Sequence, residues 1–154
     1  MRYKCNIIPK KIATGFLLLL LFSVAGQGQE LTATTDSRAV NAPIYTLFIF
    51  TGSDWCTNCR RLEKKVLSEP AFTESMRKNG IEIRIIDFPQ RKKPDPEILK
   101  YNQSIADSYH FEGIYPTLVL AKRDSKLYRL FFYKNQGWDE FSAVILEHKE
   151  KMNE

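Results

Sequence analysis

Cysteine and histidine are scarce in this chain, three and two of 154 residues. Cys5 lies near the N-terminus, and the other two cysteines are Cys56 and Cys59. There is no second Cys-x-x-Cys, and His110 and His148 stand far along the chain. Zinc needs about four ligands, so this pattern argues against a metal site and leaves each histidine as a surface or packing residue. Acidic residues are missing from positions 1–28, which hold four basic ones. Beyond them stand 19 basic and 18 acidic residues, so all but one unit of the overall charge of +5 belongs to the N-terminus. It gives no sign of nucleic-acid binding. The longest apolar stretch, 12–25, is short for a membrane span, which needs about 20 residues. No cysteine follows that stretch, which argues against a lipid-anchored N-terminus. No segment repeats, and none is of low complexity.

What is present at the N-terminus has a recognisable layout. Arg2, Lys4, Lys10 and Lys11 precede the apolar run with its Leu17–Leu21 centre. Small residues follow at Ser23-Val24-Ala25 and Gly26-Gln27-Gly28. Residues 1–28 therefore read as a secretory signal peptide to be cleaved; an uncleaved anchor is the weaker reading because the run is short. Cleavage would remove Cys5 and leave Cys56 and Cys59 as the only thiols, in a compartment where disulfides persist. The localisation expected is periplasmic or otherwise exported. Residues 29–42 are polar without a firm period and read as a leader. Residues 43–154 read as one domain, long enough to bury a core.

Within that domain, 44–51 is an apolar, aromatic and β-branched run, which predicts a strand buried on both faces. Gly52-Ser53-Asp54 makes a turn, and Cys59, Leu62, Val66 and Leu67 keep helical spacing after it. Ser68-Glu69-Pro70 interrupts that helix, with Ser68 as the new N-cap. Ala71, Phe72 and Met76 continue the pattern to Gly80. A second strand spans 81–87, and the order strand, helix, strand predicts a parallel crossover. The loop 88–95 carries Arg91-Lys92-Lys93, read as a solvated stretch. A helix follows over 96–109 with Ile98, Leu99, Ile105 and Tyr109 inward. Strands 117–121 and 126–133 form a hairpin. A final amphipathic helix, 138–151, turns Phe141, Val144, Ile145 and His148 to one face. Trp138 reads as a plain core aromatic.

Trp55-Cys56-Thr57-Asn58-Cys59 carries the chemistry. Residues three apart at the start of a helix share a face, so the two sulfurs can close a small ring. The helix N-terminus offers free N–H groups and the positive end of the dipole, which stabilise a thiolate, the nucleophile of disulfide exchange. A structural staple is the bland alternative; so small a loop would contribute only about 2 kcal/mol. Trp55 would limit water beside the pair. Arg60 and Arg61 either lower the thiolate's proton affinity or are ordinary surface cations, and Asp54 reads as a turn residue.

A Cys-x-x-Cys at the first strand-to-helix junction, a βαβ order around it and Tyr115-Pro116-Thr117 before a strand, 60 residues after Cys56, occur together. On these residues the domain resembles the thioredoxin superfamily. The stretch 50–59 with Leu62-Glu63-Lys64 and Ser68-Glu69-Pro70 is similar to exported bacterial members related to the periplasmic domain of membrane electron transporters. The resemblance implies an α/β thioredoxin-like fold, with a central mixed sheet of four or five strands flanked by helices. It implies Cys56 as the exposed attacking thiolate and Cys59 as the resolving thiol. Pro116 would be a cis-proline facing them, Tyr115 and Trp55 would line a substrate groove, and Thr57 and Asn58 would tune the redox potential. No cofactor beyond the Cys56–Cys59 disulfide is implied. The partners implied are protein or peptide disulfides and a membrane electron donor, with no nucleic acid, and the protein is expected to be a monomer. The implied activity is thiol–disulfide oxidoreduction, leaning to reductase over oxidase or isomerase; a non-catalytic binding or chaperone-like domain of the same fold is the alternative. One departure stands out. Many relatives place a buried acid six residues before the first cysteine, and here that residue is Phe50, which leaves the proton acceptor for Cys59 unassigned.

Overall fold

Helices lie on both sides of a four-stranded mixed sheet in the computed structural model, which describes residues 42–154. The expected signal peptide and nearly all of the leader lie outside the described residues. The strands are β1 (Tyr45–Thr51), β2 (Ile81–Asp87), β3 (Thr117–Lys122) and β4 (Tyr128–Phe132), in the order β2-β1-β3-β4. β1 runs parallel to β2 and antiparallel to β3, and β3 and β4 form the antiparallel hairpin. The helical segments are α1 (Thr57–Leu62), a π-helical turn (Glu63–Leu67), α2 (Pro70–Lys78), α3 (Pro96–Ser108) and α4 (Trp138–Glu150).

β1 is central because its residues can be buried on both faces. Tyr45, Leu47 and Ile49 point to one side, where they meet Leu62, Val66, Phe72, Met76, Leu118, Leu120, Phe131, Phe141 and Ile145. Phe48 and Phe50 point to the other side, onto Ile86, Ala106, Val119 and Ala121, with Phe88, Ile105, Tyr109 and Phe111 packed around them. This alternation is the period of a strand. α1, α2 and α4 cover the first face; α3 supplies the second.

Two local expectations change. The N-cap of the second helix lies one residue later than Ser68: it is Glu69, and Pro70 is the first helical residue. The residue before a proline is pushed to extended backbone, and Glu69 has ψ 117°, so it cannot be helical, whereas Pro70 suits the first turn. The helix before it ends in the π turn, closed by Ser68 N–H donating to the Glu63 carbonyl at 2.9 Å. In α3, Ile98 and Leu99 are exposed, and the inward positions begin a turn later at Asn102, Ile105, Ala106 and Tyr109. A polar residue takes the first buried place because the last carbonyl of β2 needs a donor: the Asn102 side chain gives its N–H to the Asp87 carbonyl at 2.8 Å.

Candidate active site

The site is built where β1 ends and α1 begins. The N–H groups of Trp55 and Cys56 both donate to the Gly52 carbonyl, at 3.2 and 2.8 Å, which folds the chain back sharply. Only glycine fits at 52. A Cβ there would collide with the Trp55 indole, standing 2.5 Å from its Nε1. Cys56 is the N-cap of α1, with extended backbone, and its Sγ accepts the Cys59 N–H at 3.1 Å. The two cysteines are joined in a disulfide with their Cα atoms 5.3 Å apart. An N–H aimed at Sγ is the donor that would face a thiolate once the pair is reduced. Both cysteines are buried: Cys56 is 7% exposed and Cys59 3%. The exposed Cys56 expected from the resemblance is therefore not seen in this oxidised form.

Trp55 lies beside the pair, half-buried, its indole N–H donating to the Phe88 carbonyl at 2.9 Å. Tyr115 meets it edge-on, ring centroids 5.0 Å apart, and also packs on Phe111 at 5.0 Å. Phe111 stacks on Phe50 at 4.5 Å. The wall of the site is thus continuous with the second core face, and Phe50, fully buried, belongs to that stack. The Tyr115–Pro116 peptide is cis, and Pro116 is buried. Burial pushes the Tyr115 phenol above its usual 10.0, and the nearby Asp87 charge adds to the rise.

Asp54 has a larger role than shaping a turn. Its carboxylate accepts the N–H groups of Gln90, Arg91 and Lys92 at 2.9, 2.7 and 3.0 Å. Loss of hydration alone would raise its proton affinity; these bonds together outweigh that and hold it below the usual 3.8. With the Trp55–Phe88 bond, they fasten the loop after β2 to the redox turn, so Arg91-Lys92-Lys93 is held at the site end. Thr57 and Asn58 are exposed and accept from the guanidinium groups of Arg60 and Arg61, at 3.3 and 2.9 Å.

Behind Cys59 lies a cleft of about 140 Å³ lined by Thr51, Ser53, Arg60, Leu62, Glu63, Leu67, Ile85 and Asp87. Asp87 enters it from the end of β2, held by the Ser53 N–H at 2.8 Å and the Ser53 hydroxyl at 2.6 Å. The sequence reading did not single out Asp87, Phe88 or Phe111. Asp87 stands opposite Thr51 only through the β1–β2 register, and the one available hint was an acid ending a strand whose neighbour ends at the motif. His110 is exposed, and His148 stacks on Phe131 at 4.3 Å, so the structure places neither with the cysteines. Among the described residues no cluster of three or more His, Cys, Asp or Glu could hold a metal ion.

No protein-family model matches the chain. It is 31% identical over 115 residues to the disulfide bond reductase DsbH of Chlamydia pneumoniae, a match covering 73% of this chain. The chain spans 66% of that relative's own length. A solved structure described as DsbH oxidoreductase superposes with a TM-score of 0.62 at 20% identity, covering 88% of this chain and 94% of the other, which supports the α/β thioredoxin-like fold. The shared fold and the disulfide closed at the first helix agree: the chain has a thioredoxin-like fold with a Cys-x-x-Cys disulfide where β1 meets α1, and it is similar in sequence to a disulfide bond reductase.

Proposed function

We propose that the protein is an exported disulfide reductase working by dithiol–disulfide exchange. The observation that carries this is the Cys56 sulfur capping α1 and accepting the Cys59 N–H at 3.1 Å. In the reduced protein that donor and the helix N-terminus favour the Cys56 thiolate. Cys56 attacks one sulfur of a substrate disulfide; a mixed disulfide forms and one substrate thiolate leaves. Cys59 then attacks the Cys56 sulfur, the Cys56–Cys59 bond closes, and the second substrate thiol is released. Two electrons pass to the substrate.

Trp55, Tyr115 and Pro116 form the groove in which the substrate chain lies, and Thr57 and Asn58 tune the couple. The resemblance, and the similarity to a Chlamydia pneumoniae protein named as a disulfide bond reductase, support the reductive direction. In an oxidising compartment that direction requires a donor, for which a membrane electron transporter fits. Substrates would be exported proteins or peptides with disulfides, and the protein would act as a monomer with no cofactor beyond the disulfide. The signal-peptide layout of residues 1–28 supports export.

Insulin reduction by the domain, compared with Cys56→Ser, tests the activity: the wild type should turn over and the variant should not. Equal inactivity across donors would remove the enzyme reading. Cys59→Ala should trap substrates as mixed disulfides through Cys56. The reduction potential decides direction: a value near about −270 mV marks a reductase, and one near about −120 mV an oxidant.

A further inference from the structure

We propose that Asp87 is the proton acceptor for Cys59, the role left open by Phe50; this rests on the oxidoreductase reading above. Phe50 cannot serve, and it does not even face the cleft behind Cys59, being stacked on Phe111 in the second core face. That cleft is instead shared by Cys59 and Asp87. Its volume, about 140 Å³, is ample for water, since one water needs roughly 10–15 Å³.

The carboxylate is aimed, not loose. Ser53 grips both oxygens, one through its N–H and one through its hydroxyl, and each oxygen keeps a lone pair for a further proton. Ser53 is three residues before Cys56, so the acceptor is tied to the redox turn itself. The Asp87 backbone is fixed as well, by the β1 register opposite Thr51 and by the Asn102 amide on its carbonyl. The other charged or titratable groups around it are Arg60 and Glu63 from the helical side of the cleft and Tyr115 from the cis-proline side. Glu63 is exposed and, among the described residues, nothing hydrogen-bonds its carboxylate, so it is the less suited of the two acids.

The step balances as follows. With Cys56 in a mixed disulfide, the Cys59 thiol gives its proton to the Asp87 carboxylate across the cleft. The Cys59 thiolate attacks the Cys56 sulfur, the Cys56–Cys59 bond forms, and the bond from Cys56 to the substrate sulfur breaks. The substrate leaves as a thiolate and takes a proton from solvent, and Asp87 returns its proton to water through the open side of the cleft.

Ellman's reagent separates the two steps. The reduced protein should release two thionitrobenzoate ions: the first at a rate proportional to reagent concentration, from Cys56 attack, the second at a concentration-independent rate, from Cys59. Asp87→Asn should leave the first phase within about twofold and slow the second about tenfold at pH 7, with recovery as pH rises to about 9, where a free thiol ionises unaided. Asp87→Glu should restore most of the second phase, and Glu63→Gln should leave it unchanged. An unchanged second phase in Asp87→Asn overturns the proposal, as does a slowing found in Glu63→Gln instead. Should Asp87→Asn not fold by circular dichroism, Ser53→Ala keeps the carboxylate but removes its hydroxyl donor. It should slow the second phase about threefold with the same recovery at high pH, and no change there also overturns the assignment. A wild type that shows no second phase at all would instead sink the oxidoreductase reading.

Discussion

The two faces of the sheet are packed differently. On one side Leu47 and Ile49 of β1 meet a broad core from α1, the π turn, α2 and α4, in which Leu62, Val66, Phe72, Met76, Phe141 and Ile145 are essentially inaccessible. On the other side the fully closed part is smaller, and its margin is aromatic: Phe48 meets Tyr109, Phe50 meets Phe111, and Phe111 leads through Tyr115 to Trp55. The first face is a closed core whose removal costs free energy of folding. The second runs outward to the Cys56–Cys59 turn, so the same rings that bury β1 also flank the disulfide, where under the proposed function they would shape the surface a substrate meets. Stability and exchange should therefore respond separately to substitutions on the two faces.

The largest effect is expected from Phe141→Ala. This ring is fully buried against Phe72, Phe131 and Tyr133, and its loss should cost about 3–5 kcal/mol in urea unfolding. Exchange rates per folded molecule should hardly move. Phe111→Ala should cost less, about 2 kcal/mol, because the ring is only half-buried, but it frees Tyr115 on one side and should slow reduction of a protein disulfide several-fold. If the two variants lose similar stability and neither changes exchange, the contrast between the faces is wrong.

Gly52→Ala sharpens the contrast at the site itself. The added methyl meets the Trp55 indole and must push it off the Phe88 carbonyl, an overpacking cost of about 1–3 kcal/mol. A shift in tryptophan emission with slower exchange is the expected signature; unchanged emission would mean the turn yields instead. The smallest effect concerns the first face. Burial, the main cause, holds the His148 imidazole below its usual 6.5, and Lys151 and Arg129 add to this against an opposing Glu147. The unfolded chain then binds the proton more readily than the folded one. The resulting stability is fully present above about pH 6.5 and is lost as pH falls below it. His148→Phe keeps a ring on Phe131 and removes the titration, so its loss of stability between pH 7.5 and 5.5 should be smaller than the wild type's. The difference should be well under about 1 kcal/mol, since the group is partly screened by solvent. An equal loss in both proteins would place the acid sensitivity elsewhere.

The strands were legible because their signal is local. β1 and β2 carry runs of branched and aromatic residues bounded by Gly80 and the Gly52 turn, and their ends match the reading to within a residue. The Cys-x-x-Cys at a strand-to-helix junction was legible for the same reason. Ile98 and Leu99 were misread because helical spacing says which residues share a stripe, not how much of that stripe another element covers. Ser68 was misread because its capping preference competed with the stricter demand of Pro70 on the residue before it.

Sequence by itself determined the strand-to-helix placement of Cys56 and Cys59, the absence of any other thiol beyond residue 28 and the loss of the usual acid at Phe50. Those follow from residue identity and short-range spacing. Only the tertiary structure decided what stands around the pair: Tyr115 against Trp55, the 88–95 loop fastened by Asp54, and Asp87 in the cleft behind Cys59. Each joins residues some 30 to 60 positions apart. Such contacts are set by strand register and by burial on a shared sheet, which no local pattern encodes.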